Sequence, residues 1–340
     1  MARRTPHPQL DLFAPLPAPA PLPGVGAAAV SPALAAVARR LPSHLYLGTS
    51  SWAFPGWQGL VYDRAAAAST LARHGLAAYA QHPLLRAVCI DRTFYAPLPA
   101  ADFAAYAAVV PDDFRFMVKA HAWCTQPVRR DPRRSGPRGH TPNEYFLHPG
   151  YATEHVVQPC LTGLGGKAGP ILFQFSPFDV PALGGPQHFA ARLHAFLEAL
   201  PRGPLYAVEL RHASLLTPAY REVLTDVGVC HCFNIHPSMP ALPEQSRIVP
   251  PAGASALIVR WSLHRARRYE EAKMRYEPFD HIVDDDPHTR QSIARLCRAA
   301  LDAGRPAFII ANNKAEGSAP CTVSTLAECL IQTTSHAATL

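Results

Sequence analysis

Eight short apolar runs, most of them separated by stretches with helical spacing, constrain the fold of this 340-residue chain more than any other feature. Each run is rich in Val, Ile, Leu, Phe or Tyr and is bounded by Pro, Gly or charge, as is typical of buried parallel strands. Nearly every run ends on a polar or ionisable residue. The predicted strands are residues 45–50, 86–91, 114–119, 170–174, 205–211, 229–234, 256–261 and 306–312.

Helical periodicity fills most of the gaps between these strands. The predicted helices are residues 70–81, 100–110, 154–164, 187–200, 218–227, 288–303 and 324–332. Strands and helices that alternate eight times predict an α/β fold, a (β/α)8 TIM barrel, over residues 45–340. The sixth unit departs from the pattern because residues 237–251 are rich in Pro, so we expect a turn or a very short helix there.

The composition favours a cytoplasmic protein with one barrel domain. A hydrophobic content of 48% supplies a large core, and no apolar run approaches the roughly 20 residues that cross a bilayer. The eight cysteines include no CxxC pair, which favours free thiols in a reducing compartment. We therefore expect a monomer without membrane association.

Pro and Ala dominate residues 1–44, which predicts a disordered or loosely docked extension. Within this extension the motif QLDLF is formed by Gln9, Leu10, Asp11, Leu12 and Phe13. It resembles the pentapeptide with which bacterial replication and repair proteins bind the DNA sliding clamp. Leu12 and Phe13 would be the apolar anchors, while Gln9 would hydrogen-bond at the rim of the pocket. The alternative is an apolar patch that packs on its own barrel.

The net charge of +7 includes two basic clusters in loops that follow strands. One follows the third strand and contains Arg129, Arg130, Arg133, Arg134 and Arg138; the other follows the seventh and contains Arg265, Arg267, Arg268, Lys273 and Arg275. Loops after strands lie at the C-terminal face of such a barrel, so both clusters predict a mouth that attracts phosphate-bearing ligands. The alternative is solvated loop charge, which Glu270, Glu271 and the acidic residues 284–286 partly neutralise.

Successive side chains of a strand point to opposite faces of the sheet. This alternation predicts which polar residues near the strand ends point into the barrel. The predicted inward residues at the mouth are Asp91, Lys119, His121, Gln174, Glu209, Arg211, Asn234, His236, Arg260 and Asn312. Below them, the same alternation turns Cys89, Met117, Leu172, Cys230, Cys232, Ile258, Phe308 and Ile310 inward. So many ionisable groups are costly to bury unless they pair, and barrel enzymes carry their chemistry at such sites. The alternative is a set of ion pairs that seal the barrel, Lys119 with Glu209 and Asp91 with Arg211 or Arg260.

Six blocks of the sequence resemble the YecE-like family, also called domain of unknown function seventy-two. They are GTSSWAFPGW (48–57), TFY (93–95), DFRFMVKA (113–120), GPILFQF (169–175), VELRH (208–212) and NNKAEGSAP (312–320). The resemblance runs in order from about residue 45 to residue 330 and implies a TIM barrel of unestablished activity. Likeness of that architecture to sugar isomerases and apurinic-site endonucleases implies binding of a nucleic acid or a sugar phosphate.

Eight residues of this chain match the pattern of polar and aromatic residues in the family. They are Trp52, Tyr95, Lys119, Gln174, Glu209, Arg211, Asn312 and Asn313. Two positions depart from it: Cys89, Ile90 and Asp91 stand where the family usually has Glu, an apolar residue and Asn, and Leu215 stands where Trp is common. Cys89 thus removes an inward carboxyl group, while Asp91 restores one nearer the mouth.

Two functional hypotheses follow. The first is a hydrolase, lyase or isomerase linked to DNA repair that acts on a phosphorylated sugar or a nucleic-acid sugar-phosphate. The second is a noncatalytic DNA-associated protein that its N-terminal tail tethers to the sliding clamp. A binding assay with DNA and the clamp would separate them.

For the enzyme, the candidate catalytic residues are Lys119, Glu209, Asp91 and His121. Glu209 is the candidate general acid/base, and Lys119 is an electrostatic stabiliser or an imine-forming amine. The candidate ligand-binding residues are Trp52 and Tyr95 for stacking, Arg211 and Arg260 for phosphate, and Gln174, Asn234, His236, Asn312 and Asn313. The inward Asp, Glu and His residues permit a metal site but do not require one, so we predict no metal and no cofactor.

Overall fold

Eight parallel strands close into a barrel in the computed structural model, which describes residues 24–130 and 140–337. The barrel strands are β1 (Leu45–Thr49), β2 (Ala87–Ile90), β3 (Arg115–Lys119), β6 (Ala168–Phe175), β7 (Tyr206–Leu210), β8 (Cys230–Ile235), β9 (Leu257–Trp261) and β10 (Ala307–Ala311). Between β3 and β6, the short strands β4 (Val128–Arg130) and β5 (His140–Pro142) form an antiparallel pair. Neighbours around the barrel follow chain order, and β10 pairs with β1. The predicted TIM barrel is confirmed, with each of its eight strands.

Helices cover the outside of the barrel. They are α1 (Pro32–Arg40), α2 (Ala68–His74), α3 (Leu76–Tyr79), α4 (Ala100–Ala108), α5 (Ala122–Thr125), α6 (Pro149–Ala152), α7 (Gln158–Leu164), α8 (Gly185–Glu198), α9 (Pro218–Val227), α10 (Leu242–Ile248), α11 (Tyr269–Tyr276), α12 (Pro287–Asp302) and α13 (Ala319–Ala337). The helix predicted at residues 70–81 is divided at Gly75 into α2 and α3. The Pro-rich sixth unit contains only the seven-residue α10, in agreement with the predicted short helix.

The N-terminal extension contains a helix that its composition did not predict. Helix α1 begins after Ser31, whose Oγ accepts a hydrogen bond from Leu34 N at 3.2 Å, and Pro32 occupies its first turn. The partly buried Leu34 and Val37 belong to the packing around the main core. The expectation of disorder therefore does not hold for residues 24–44, because a capped helix packs there. The QLDLF motif lies outside the described residues and stays a prediction.

The interior of the barrel is a packed apolar layer. Its buried members include Cys89, Met117, Leu172, Cys230, Cys232, Ile258, Phe308 and Ile310. These are the residues that strand alternation turns inward, so the predicted facing of the strands is confirmed. At the N-terminal end, Tyr46 stacks on Phe308 with ring centroids 4.7 Å apart. A filled interior excludes a ligand from the centre of the barrel, and active sites of this fold lie at the C-terminal mouth.

None of the helices within the described ranges combines the length and the apolar character that crossing a lipid bilayer demands.

Barrel closure depends on a close approach between β1 and β2. Gly48 pairs with Ala87, and a Cβ atom added at Gly48 would lie 2.0 Å from the Ala87 carbonyl oxygen. We expect Gly48→Ala to lower the free energy of unfolding by at least about 1–3 kcal/mol, the usual cost of overpacking. Urea denaturation measures this loss. Gly166→Ala is the matched control, since no atom lies within 4 Å of its added Cβ; equal midpoints for the two variants would contradict the argument.

Candidate functional site at the barrel mouth

A buried arginine organises the polar layer above the apolar interior. Arg260, near the end of β9, is only 2% exposed. Its Nη1 donates to Glu209 Oε2 at 2.6 Å, and its Nη2 donates to the two carboxylate oxygens of Asp91 at 3.2 and 3.1 Å. Asp91 and Arg260 thus form one of the ion pairs that the sequence left open as an alternative. A guanidinium group buried this deeply requires such pairing.

Glu209 on β7 is fully buried and fixed between two arginines. Its Oε1 accepts a hydrogen bond from Arg211 Nε at 2.8 Å, while Oε2 accepts from Arg260. Burial alone would raise the pKa of the Glu209 carboxyl, but the charges of Arg260 and Arg211 outweigh it and hold the pKa at about 2. An ionised carboxylate held by two guanidinium groups is a poor proton donor, so this geometry disfavours Glu209 as a general acid, while its role as a base stays a prediction.

Lys119, the last residue of β3, has no such partner. Its side chain is buried, with 8% of the residue exposed, and its Nζ lies 3.8 Å from the centre of the Phe94 ring. Among the described residues, Nζ makes no hydrogen bond and no ion pair, so the proposed pairing with Glu209 is absent. Burial lowers the pKa of the Lys119 ammonium to about 8, although Asp91 partly opposes the shift. The group therefore releases its proton near neutral pH.

Position 119 has a lysine in a chain whose basic residues are mostly arginines. The whole sequence contains 28 arginines but only four lysines: Lys119, Lys167, Lys273 and Lys314. Arginine is always protonated in proteins, whereas a buried lysine can become a neutral amine. A lysine at this position can therefore become a neutral amine, which an arginine could not.

A hydrogen-bonded chain extends the site around the mouth. Arg211 Nη2 donates to Ser262 Oγ at 3.3 Å, and Ser262 Oγ donates to Asn234 Oδ1 at 3.0 Å. The buried Asn234 Nδ2 has no partner within the described residues. On the neighbouring strand β6, Gln174 Nε2 donates to Ser176 Oγ at 3.1 Å. Asn234 Nδ2 and Lys119 Nζ are therefore donors that a ligand can use.

Both candidate histidines carry depressed pKa values. Burial lowers the pKa of His121, whose Nδ1 is 2.7 Å from Tyr151 Oη. Burial, with a smaller contribution from Arg211, lowers the pKa of His236 to about 4. Both imidazoles are thus neutral near pH 7 and add no positive charge to the mouth.

The two aromatic residues assigned to stacking differ in exposure. Trp52 is buried, and its Nε1 donates to the Leu71 carbonyl oxygen at 3.1 Å, so it belongs largely to the packing behind β1. It also lines a cavity of about 190 Å³ together with Cys89 and Asp91. Tyr95 is 81% exposed. Trp52 thus reaches the cavity next to the charged cluster, while the exposed Tyr95 ring packs edge-on against Phe94 with ring centroids 5.5 Å apart.

Asn312 and Asn313 shape the loop after β10. Asn312 Oδ1 accepts a hydrogen bond from Lys314 N at 3.0 Å. Asn313 Oδ1 accepts from Trp57 Nε1 at 3.1 Å and from Ala319 N at 2.8 Å. Neither side chain bonds to the Arg260 cluster, so their evident contribution is to fix the backbone of this loop.

The segment after β9 is not the basic rim that its arginines suggested. Residues 264–286 contain five basic and seven acidic side chains, a net charge of −2 with histidines neutral. Arg267 bonds to Glu271 at 2.6 Å and to Asp284 at 2.8 Å, and Arg275 bonds to Asp284 at 3.3 Å. Helix α11 brings these charges together, so Arg267 and Arg275 are neutralised within the segment, as the alternative for this cluster requires.

The basic cluster after β3 is described only in part. Arg129 lies 4.1 Å from the centre of the Trp123 ring and 3.7 Å from Glu144. Arg133, Arg134 and Arg138 fall outside the described residues. The predicted electrostatic role of this loop stays a prediction.

The structure therefore brings together seven of the predicted site residues. They are Asp91, Lys119, Gln174, Glu209, Arg211, Asn234 and Arg260. Sequence reasoning missed Ser262 and Phe94. Ser262 lies two residues beyond Arg260, so alternation continued past the strand end would have found it. In the described part of the chain, no three His, Cys, Asp or Glu side chains converge in the manner of a metal site.

Comparisons with known proteins found one matching family and several solved structures with a similar fold. The family described as "Protein of unknown function DUF72" matches residues 46–339. A DUF72 family protein from Thermotoga maritima MSB8 has 18% identity and a TM-score of 0.56, over 86% of this chain and 99% of that one. A DUF72 family protein from Enterococcus faecalis V583 has 18% identity and a TM-score of 0.50, over 84% and 95%. At such identities the likeness concerns the fold alone. No curated protein matches the chain.

Replacement of Arg260 tests how much the ion pairs around its guanidinium group contribute to the free energy of unfolding. We expect Arg260→Met to lower the free energy of unfolding by about 3–5 kcal/mol, because two carboxylates lose their buried partner. Arg260→Met combined with Glu209→Gln should be less destabilised than the sum of the two single variants. Urea denaturation of the wild type, both single variants and the double variant measures this coupling. Strict additivity would contradict the ion-pair network.

We expect Lys119 to lower the free energy of unfolding, because its ammonium group is buried without an anionic partner among the described residues. Its depressed pKa means that the unfolded chain binds more protons than the folded one between pH 8 and about 10.4. The penalty is therefore complete below pH 8, decreases through this interval and is lost above about 10.4. We expect Lys119→Met to raise the free energy of unfolding at pH 7 by up to about 3 kcal/mol, and by clearly less at pH 10. Lys273→Met, on the exposed face of α11, should stay within about 0.5 kcal/mol. A destabilised Lys119→Met protein would show that the lysine is structurally satisfied.

Proposed function

The chain belongs to the DUF72 family of proteins of unknown function, and we propose that it is a lyase or isomerase acting on a small phosphorylated carbonyl compound, such as a sugar phosphate. Its site is the C-terminal mouth of the barrel. One observation carries the proposal: Lys119 Nζ is buried beside Phe94 without an anionic partner in the described residues, and its pKa is about 8. An amine of this kind is suited to covalent chemistry with a carbonyl group.

The chemistry begins with the neutral form of Lys119. At pH 7, with a pKa of about 8, roughly a tenth of the molecules carry the free amine. The amine attacks the carbonyl carbon of the ligand, a C–N bond forms, and loss of water gives an imine. Protonation of this imine makes it an electron sink for cleavage or proton transfer at the adjacent carbon. The apolar ring of Phe94 excludes water from this side of the Lys119 nitrogen, which disfavours hydrolysis of the imine.

Asp91 is the carboxylate best placed to move protons in this scheme. Glu209 stays ionised between two arginines, whereas the Asp91 side chain is 31% exposed and faces the 190 Å³ cavity. Arg260 orients Asp91 through two hydrogen bonds. We assign Arg260 to positioning instead of phosphate binding, because both of its terminal nitrogens already bond to carboxylates.

The charge of the mouth supports an anionic ligand. Lys119, Arg211 and Arg260 carry three positive charges, and Asp91 and Glu209 carry two negative charges, when Lys119 is protonated. The excess of one positive charge attracts a phosphate group more strongly in a partly buried site than in open solvent. Arg211 is the member of this set that binds Glu209 through Nε while part of its side chain stays exposed.

The net negative charge of residues 264–286 favours a small ligand over a nucleic acid. A polyanion would meet the net negative charge of residues 264–286 at the same face of the barrel. The clamp motif and most of the arginines after β3 lie outside the described residues, so the DNA-tethered alternative stays a prediction.

Reductive trapping tests the proposed chemistry. Glyceraldehyde 3-phosphate and ribose 5-phosphate serve as probes, and sodium borohydride converts any imine into a stable secondary amine. We expect one adduct by intact mass, located at Lys119 by peptide mapping, with a yield that rises as the pH increases through about 8. Lys119→Ala should lose the adduct and Lys273→Ala should keep it. Labelling spread equally over the lysines, or none at Lys119, would refute the proposal.

A further inference from the structure

We propose that Lys314 binds the phosphate group of the ligand whose carbonyl group reacts at Lys119. This inference rests on the proposed function and assigns the phosphate to the loop after β10. It replaces Arg260, which the sequence suggested for this task and whose two terminal nitrogens already bond to Glu209 and Asp91.

Lys314 is a second largely buried lysine whose ammonium has no anionic partner among the described residues. It is 7% exposed, and its Nζ lies 4.5 Å from the centre of the Tyr269 ring and 5.7 Å from that of Phe279. In the part of the chain that the structure describes, its Nζ makes no hydrogen bond and no ion pair. Contacts with aromatic faces compensate less for the loss of water around an ammonium than an anion does. The site thus lacks a counter-charge that a phosphate can supply.

Two acidic side chains of the surrounding loops, Asp284 and Glu316, bond to groups other than Lys314. Asp284 accepts from Arg267, Arg275 and Tyr276. Glu316 accepts from Arg290 and from the backbone of Asp286. Neither of these two carboxylates forms an ion pair with Lys314. The positive charge remains available to a ligand.

The backbone holds Lys314 at the C-terminal end of the barrel. Lys314 N donates to Asn312 Oδ1 at 3.0 Å, and the Lys314 carbonyl oxygen accepts from His264 N at 2.8 Å. These bonds join the loops after β9 and β10, the last two strands of the barrel. Loops at this position often bind phosphate in barrels of this fold. The covering Tyr269 is 57% exposed, so solvent reaches the ring that lies over the ammonium.

Two measurements on Lys314→Met test the assignment. The first is the affinity for inorganic phosphate by isothermal titration, which we expect to fall at least about tenfold. The second is borohydride trapping at Lys119 with glyceraldehyde 3-phosphate and with unphosphorylated glyceraldehyde. The wild type should prefer the phosphorylated probe, and Lys314→Met should lose this preference while trapping of glyceraldehyde is unchanged.

Controls separate this inference from the proposed function. Lys273→Met removes the same charge from exposed α11 and should behave as the wild type, while Lys314→Arg should retain part of the phosphate affinity. If Lys314→Met does not fold, acetylation of the wild type by acetic anhydride replaces it: phosphate should protect Lys314 and leave Lys273 unaffected. An unchanged phosphate affinity or an absence of protection overturns the assignment to Lys314. Absence of trapping with both aldehydes would instead overturn the role of Lys119.

Discussion

The burial of one guanidinium group, that of Arg260, sets the arrangement of the rest of the mouth. A charge removed from water in this way is tolerated only with close anionic partners. Glu209 and Asp91 fill that role, and the geometry of their bonds fixes both carboxylates. Because Arg211 occupies the second oxygen of Glu209, no carboxylate of the cluster remains free to pair with Lys119. The isolation of Lys119 is thus a consequence of how the arginines are satisfied.

The cations at this end of the barrel fall into two chemical classes. The arginines of the site bond to carboxylates, whereas Lys119 and Lys314 contact aromatic rings. A paired arginine gives a rigid frame with a constant charge, while an unpaired lysine keeps a reactive or ligand-seeking group. Such groups reduce the stability of the empty protein, which is the usual cost of a site prepared for its ligand. The frame and the reactive groups thus use different residue types for physical reasons.

The sequence predicted the barrel well because strands and helices alternate along the chain, and it predicted the inward face because side chains alternate with a period of two. Cys232 and Ile258, for example, lie in the interior as alternation requires. Pairing among the polar residues followed no such rule. Whether Glu209 bonds to Lys119 or to two arginines depends on reach across strands, which no spacing along the chain encodes. The pairing within residues 264–286 was unpredictable for a similar reason: helix α11 places Arg267 against Glu271 and Asp284.

The departure from the YecE-like pattern on β2 now has a structural meaning. Cys89 stands at the inward position where the family usually has Glu, and burial raises the pKa of its thiol, so it stays neutral within the barrel. Its Sγ donates to Asp91 Oδ1 at 3.0 Å. The carboxylate has thus moved two residues along the chain, from the interior to the lip, where Arg260 reaches it and the cavity begins. A neutral interior with a carboxylate at the lip retains the partner that Arg260 needs and also places a proton acceptor where a ligand at Lys119 would meet it.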